Sequence, residues 1–129
     1  MKLVRFGSKD NEKPGVLDKN NKIRDISSII KDFDPENLNF NTLKKIKEIN
    51  LESMPEIPNS TRIGSCITKP GKFIGIGLNF SDHAAEIGAE IPKEPIVFMK
   101  ASSCICGPND EIVIPKSSKK CDWEVEIAF

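Results

Sequence analysis

The sequence lacks an excess of charge of either sign, since 19 Lys and Arg balance 19 Asp and Glu. No strong field therefore draws it toward nucleic acid or an anionic membrane, and we expect neither as a partner. It also lacks any apolar run near the ~20 residues that span a bilayer. The opening run Met1–Gly7 is too short and too quickly charged for a secretory signal. We therefore expect a cytoplasmic protein.

Cysteine and histidine are scarce, and their spacing argues against a structural zinc site. The chain has four cysteines, one histidine and no C-x-x-C pair. Because a reducing compartment disfavours disulfides, we expect free thiols, and small buried cysteines are the interpretation we favour. A zinc site built from Cys104, Cys106, Cys121 and His83 is the alternative, but it lacks the usual ligand spacing.

The amino-terminal half is predicted to be a small β-rich unit. Leu3–Phe6 is typical of a strand, and Val16–Leu17 and Lys22–Ile26 flank a polar turn as the arms of a hairpin. Apolar residues at helical spacing predict a short helix over Thr42–Ile49. Met54–Pro58 carries two prolines and no periodicity, which indicates a connector. These features predict two domains, 1–65 and 66–129.

The carboxyl-terminal half is richer in Ile, Val and Gly, which favours further strands. The predicted elements are a buried strand over 72–78, a short helix over 82–87, and strands over 96–100, 111–114 and 123–129. The last strand stops at Phe129 with no turn or polar tail. We therefore expect the chain to be cut off within its second domain.

Two acidic residues alternate in the last predicted strand. Alternate side chains of a strand share a face, with Cα atoms roughly 7 Å apart, so Glu124 and Glu126 can converge on one hard cation. The alternative is a solvated strand face with Val125 and Ile127 pointing inward. This alternation alone favours the solvated face, because E-x-E is common.

A histidine and a glutamate stand three residues apart in the predicted helix. His83 and Glu86 would then lie on one helix face, where the carboxylate can accept a proton from water and the imidazole can relay or stabilise it. The alternative is a capped surface helix with an exposed histidine.

A glycine pair, a lysine and two neighbouring serines could each have a functional or a purely structural role. Gly75-Ile76-Gly77 follows a strand, but Phe80 stands where a dinucleotide-binding loop has its third glycine, so tight backbone approach is favoured. Lys100 can anchor a carboxylate or serve as an edge-strand charge. Ser102 and Ser103 can bind the same anion or form a turn.

Four motifs, in order, resemble the fumarylacetoacetate hydrolase family. The family's strand, "G-L-N-Y" loop and "D-H-x-x-E" helix are similar to Phe73–Glu86, and its "E-P-x-x-F-x-K" strand is similar to Glu94–Lys100. Its next turn and strand resemble Gly107–Pro115, and its first metal-binding strand resembles Asp122–Glu126. The amino-terminal part resembles the small domain ahead of the catalytic domain in bacterial members. The subgroup suggested is that of 2,4-diketo-3-deoxy-sugar-acid hydrolases, often labelled ureidoglycolate lyases.

The resemblance implies a mainly β (α+β) fold, with a small β-rich domain followed by the start of a mixed β-roll or barrel catalytic domain. It implies a hydrolase that cleaves a C–C bond of a 2,4-dioxo acid and releases pyruvate. Mg²⁺ or Mn²⁺ would bind Glu124 and Glu126 and chelate a 2-oxo acid substrate. His83 and Glu86 would activate water, and Lys100 would help to hold the substrate. The full-length form would be a homodimer.

Two departures from the family pattern bear on activity. The family's third metal ligand, an Asp, and a further Lys are absent up to Phe129, and the loop tyrosine is Phe80 here. We therefore expect no turnover from the 129 residues alone. The competing hypotheses are a lyase, isomerase or decarboxylase on a related 2-oxo acid, and a non-catalytic fragment.

Overall fold

The computed structural model describes all residues, 1–129, and contains two separate antiparallel sheets. The elements, in chain order, are β1 (Lys2–Phe6), β2 (Lys13–Leu17), β3 (Ile23–Asp25), α1 (Phe40–Glu48), β4 (Glu56–Ile57), β5 (Phe73–Gly77), α2 (Ser81–Glu86) and β6 (Ile96–Lys100). Two short 3₁₀ turns cover Leu51–Ser53 and Ser102–Cys104. The prediction of a mainly β chain is confirmed at this level. No helix is long and apolar enough to cross a membrane.

The first sheet has the order β1-β2-β3-β4, so each strand pairs with its neighbour in the chain. The predicted hairpin of β2 and β3 is confirmed, and Asp18 shapes its turn by accepting hydrogen bonds from the backbone N–H groups of Asn20 and Lys22. The prediction of a connector over Met54–Pro58 is wrong in part. Glu56–Ile57 pairs with β3, and a two-residue strand is too short to show any alternation in the sequence.

The hydrophobic core lies against this first sheet. Its buried members are Val16, Ile26, Ile30, Phe33 and Ile46. The predicted helix is confirmed as α1, which contributes Ile46 and begins where the side chain of Asn39 accepts a hydrogen bond from the N–H of Thr42. Beyond residue 71, only Ala84 and Gly107 are buried.

Ion pairs through Arg62 join the segment just before β2 to the turn at 107–110. Arg62 contacts Glu12 at 2.7 Å and Asp110 at 2.6 Å. Asp110 also accepts a hydrogen bond from the N–H of Gly107 at 2.8 Å. A Cβ at Gly107 would collide with the backbone carbonyl of Ile63, so only glycine allows this close approach.

The second sheet is a ribbon of two strands, β5 and β6, paired from Phe73↔Lys100 to Gly77↔Ile96. Both strands were predicted, but the expected burial of the first is wrong because Ile74 and Ile76 are exposed. The strands predicted over 111–114 and 123–129 are not formed. A strand exists through hydrogen bonds to a neighbour, and neither segment pairs with another part of the chain. The division at residue 65 stays a prediction.

Candidate active site

An open cleft of about 630 Å³ lies between α2 and the segment 123–126. It is lined by Phe80, Asp82, His83, Glu86, Trp123, Glu124, Val125 and Glu126. The structure therefore brings together the two pairs that the sequence singled out, although nearly forty residues separate them in the chain. The two pairs therefore line one open, water-accessible space.

Helix α2 supplies one side of the cleft. His83 and Glu86 stand three residues apart on it, and this spacing places both side chains on one helix face. Ala84, on the other side of the helix, is its buried residue. Asp82 accepts a hydrogen bond from the N–H of His83 at 2.9 Å, which satisfies one free donor of the first turn.

The other side of the cleft is a segment with no strand partner. Glu124, Val125 and Glu126 all line the cleft, and the backbone of this segment is irregular and forms no strand. The expected strand geometry of the carboxylate pair is thus absent. The two carboxylates lie two residues apart in this irregular segment.

The cleft is lined by carboxylate groups, whose oxygen atoms are suitable ligands for a hard divalent cation. Carboxylate oxygens are the ligands that Mg²⁺ and Mn²⁺ prefer. No three His, Cys, Asp or Glu side chains, however, lie together in an arrangement that would hold a metal ion. Glu124 and Glu126 have the oxygen donors that such a cation needs, and their role as its ligands stays a prediction.

The four cysteines contribute nothing to this cleft. All four are free and exposed, so the expectation that they are buried is wrong. Cys104 ends a 3₁₀ turn, and Cys66, Cys106 and Cys121 lie in irregular segments. None is in a strand or helix with a face turned toward the core.

Lys100 lies away from the cleft. It pairs with Phe73 at one end of the ribbon, whereas α2 follows the other end at Gly77, roughly 13 Å farther along the strand. Its ammonium group sits 5.7 Å from the ring centre of Phe73 and 5.6 Å from that of Phe98. Its role in holding substrate stays a prediction. Ser102 beside it begins a 3₁₀ turn, one of the two alternatives that the sequence left open.

One residue near the cleft escaped the sequence reasoning. Asn79 donates a hydrogen bond from Nδ2 to Oε2 of Glu126 at 3.2 Å. Its place in the "G-L-N-Y" loop was noted, but no spacing rule links it to a residue 47 positions later. The loop's position directly before α2 was the only available signal.

Comparison with known families finds a match in the second half of the chain. Residues 72–129 match the family model described as fumarylacetoacetate (FAA) hydrolase, C-terminal. The matched region begins just before β5 and includes α2, the ribbon and the segment 123–126. It therefore contains both walls of the cleft.

Similar proteins come from Burkholderia species. The chain is 51% identical over 127 residues to a protein named "Putative hydrolase" from Burkholderia ambifaria, a match that covers 98% of this chain and 45% of that protein. Two other relatives whose names begin with "Putative hydrolase" come from Burkholderia cenocepacia and Burkholderia lata. They are 51% and 50% identical to this chain, with the same coverage. The chain thus spans less than half the length of these relatives. The second half of the chain is thus similar to the carboxyl-terminal domain of fumarylacetoacetate hydrolases, and nearly the whole chain is similar to these longer relatives.

Proposed function

We propose that this chain carries part of the active site of a divalent-metal-dependent hydrolase that cleaves a C–C bond in a 2,4-dioxo acid and releases pyruvate. One observation supports the proposal above all others. His83 and Glu86 line the same cleft as Glu124 and Glu126, so a base and a pair of cation ligands can act on one substrate.

Glu86 is the proposed general base. Its carboxylate accepts a proton from a water molecule, and His83 on the same helix face stabilises the charge and relays the proton. The water oxygen then bonds to the carbon of the carbonyl farther from the acid end. The bond from that carbon to the CH₂ group between the two carbonyls breaks, and its electron pair stays with the pyruvate half. The proton returns to the former CH₂ carbon, which becomes the methyl group of pyruvate, and the attacked carbonyl carbon leaves as the second carboxylic acid.

Glu124 and Glu126 would hold the cation. A bound Mg²⁺ or Mn²⁺ would neutralise negative charge at the 2-oxo acid end of the substrate. Two carboxylates leave a cation without fixed geometry, so we expect weak metal binding and no turnover from these 129 residues on their own. The homodimer and the cytoplasmic setting also remain predictions.

Titration with Mn²⁺, followed by electron paramagnetic resonance, tests the cation ligands. Removal of a group that merely supports a metal ligand weakens metal binding roughly 10- to 100-fold. The double variant Glu124→Gln, Glu126→Gln removes the proposed ligands themselves and should weaken Mn²⁺ binding by at least as much. The matched control is Glu90→Gln, Glu111→Gln, which removes two exposed carboxylates outside the cleft and should leave affinity unchanged. Equal losses in both double variants would contradict the assignment.

The substrate class is tested by pyruvate release from acylpyruvates and diketo-deoxy-sugar acids in the presence of Mg²⁺. The Burkholderia ambifaria relative, as the longer protein, is assayed beside this chain. We expect the relative to release pyruvate together with an equal amount of a carboxylic acid. Turnover without the second acid would indicate a lyase or decarboxylase instead.

A further inference from the structure

The turn between β5 and α2 has an unusual backbone. Leu78 follows the last residue of β5 and has φ of +49°, in the left-handed region that side chains with a Cβ rarely adopt. Strained residues of this kind persist only where the surrounding structure holds them, and they cluster at functional sites. Here the strained residue lies directly before Asn79 and three residues before the start of α2.

The strained turn carries the hydrogen bond from Asn79 to Glu126. No other hydrogen bond joins residues 72–104 to residues 111–129. Helix α2 begins two residues after Asn79. This contact therefore connects the turn just before the helix of His83 and Glu86 to the opposite wall of the cleft.

The chemistry of an amide suits this position. The amide donates a hydrogen bond without bringing a positive charge, so it does not compete with a cation for the carboxylate. It occupies Oε2 of Glu126 and leaves Oε1 free. A lysine or arginine at this position would neutralise the carboxylate of Glu126, and an aspartate would repel it.

We propose that Asn79 is a positioning residue that holds Glu126 in place for a cation and keeps it facing the His83–Glu86 pair. The left-handed turn at Leu78 aims the amide at the carboxylate. Where the inference concerns the cation, it rests on the function proposed above. Asn79 itself contacts neither substrate nor metal in this role.

A double-mutant cycle in Mn²⁺ affinity tests the proposal. Asn79→Ala should weaken binding roughly 10- to 100-fold, the usual cost of removing a group that supports a ligand. In a Glu126→Ala background the same change should have no further effect, because the group through which Asn79 acts is gone. The matched control is Asn59→Ala, an exposed asparagine with no side-chain hydrogen bond. Unchanged affinity in Asn79→Ala, or additive losses in the double variant, would overturn the inference.

A measurement without metal separates this inference from the proposed function. The side-chain NH₂ signals of Asn79 in a ¹H–¹⁵N spectrum should shift in Glu126→Ala and stay in place in Glu124→Ala. If they shift as expected while the chain binds no Mn²⁺, the metal assignment fails and Asn79 still positions Glu126. If they do not respond to Glu126→Ala, the positioning role fails whatever the metal does.

Discussion

At the residue scale, Asp110 has the most strongly perturbed environment of any acid in the chain. Asp110 accepts hydrogen bonds from the side chain of Arg62 and from the N–H of Gly107. These bonds, above all those from Arg62, lower the pKa of Asp110 from 3.8 to about 2. Burial alone would raise the pKa of the neighbouring Glu12, but Arg62 and Arg5 hold it below its ordinary value. Both acids are thus more stable as carboxylates in the folded chain than in the unfolded chain.

This perturbation predicts a loss of stability in acid. Between pH 4 and pH 2 the unfolded chain binds a proton at Asp110 that the folded chain does not, so stability falls as the pH falls through this window. Urea midpoints measured from pH 5 to pH 2 should show this fall. The fall should be smaller in Asp110→Asn, which has no proton to bind there.

Glu48→Gln is the control for that experiment, because Glu48 is an exposed acid with no ion pair. It should keep the pH dependence of the wild-type chain. An unchanged pH dependence in Asp110→Asn would mean that the Arg62–Asp110 pair does not persist in solution.

At the scale of elements, the helix α1 shows how one side chain sets a boundary. The side chain of Asn39 accepts a hydrogen bond from the N–H of Thr42 at 3.0 Å, and Lys45 and Lys47 lie in the last turn, where they complement the helix dipole. The helix in turn supplies Ile46 to the core. Loss of the cap therefore weakens a core contact as well as the helix end.

Asn39→Ala should lower the free energy of unfolding of the part that contains the four-stranded sheet and α1 by about 1 kcal/mol, the typical value of an N-cap hydrogen bond. Urea denaturation followed by circular dichroism measures it. The control is Asn41→Ala, an exposed asparagine within the first turn of the same helix, which should be neutral or slightly stabilising because alanine favours helix. Equal effects of the two changes would contradict the capping role.

The elements that the sequence predicted are those whose signals are local. Alternation, turn chemistry and helical spacing act within ten residues, and they located β1, the β2–β3 hairpin, α1, β5, α2 and β6. The two-residue β4 carries no pattern of its own and exists because β3 offers it an edge. The segments 111–114 and 123–129 have the composition of strands but no partner strand, and composition cannot report a partner.

The candidate site divides in the same way. The spacing within each pair, His83 with Glu86 and Glu124 with Glu126, was visible in the sequence. That the pairs line one cleft depends on the path of the chain between them, which no local rule gives. The contact between Asn79 and Glu126 lay beyond prediction for the same reason, and so did the pairing of Arg62 with Asp110.

At the scale of the whole molecule, apolar surface is distributed unevenly. The core cluster lies within residues 16–46, whereas the ribbon and the segment 111–129 expose most of their large apolar side chains. On β6, Val97 and Met99 are each 62% exposed. Contiguous exposed apolar surface of this kind favours association.

We therefore expect the chain to bind the dye 8-anilinonaphthalene-1-sulfonate and to self-associate as its concentration rises. The double variant Val97→Lys, Met99→Lys should reduce both, because it places two charges on one side of the exposed strand. Phe40→Lys is the control, since Phe40 is 91% exposed but lies alone at the start of α1. Sedimentation velocity measures the association, and equal effects of these variants would show that the ribbon is not the surface involved.

Trp123 lies in the cleft wall beside Glu124, and the chain has no other tryptophan and no tyrosine. Its fluorescence therefore reports the site segment alone, whereas far-ultraviolet circular dichroism reports mainly the four-stranded sheet and α1. The two signals should follow different denaturation curves, so neither gives a free energy for the chain as a whole. The same indole also offers a label-free optical signal for the arrival of a paramagnetic cation such as Mn²⁺, which quenches the emission of a nearby fluorophore.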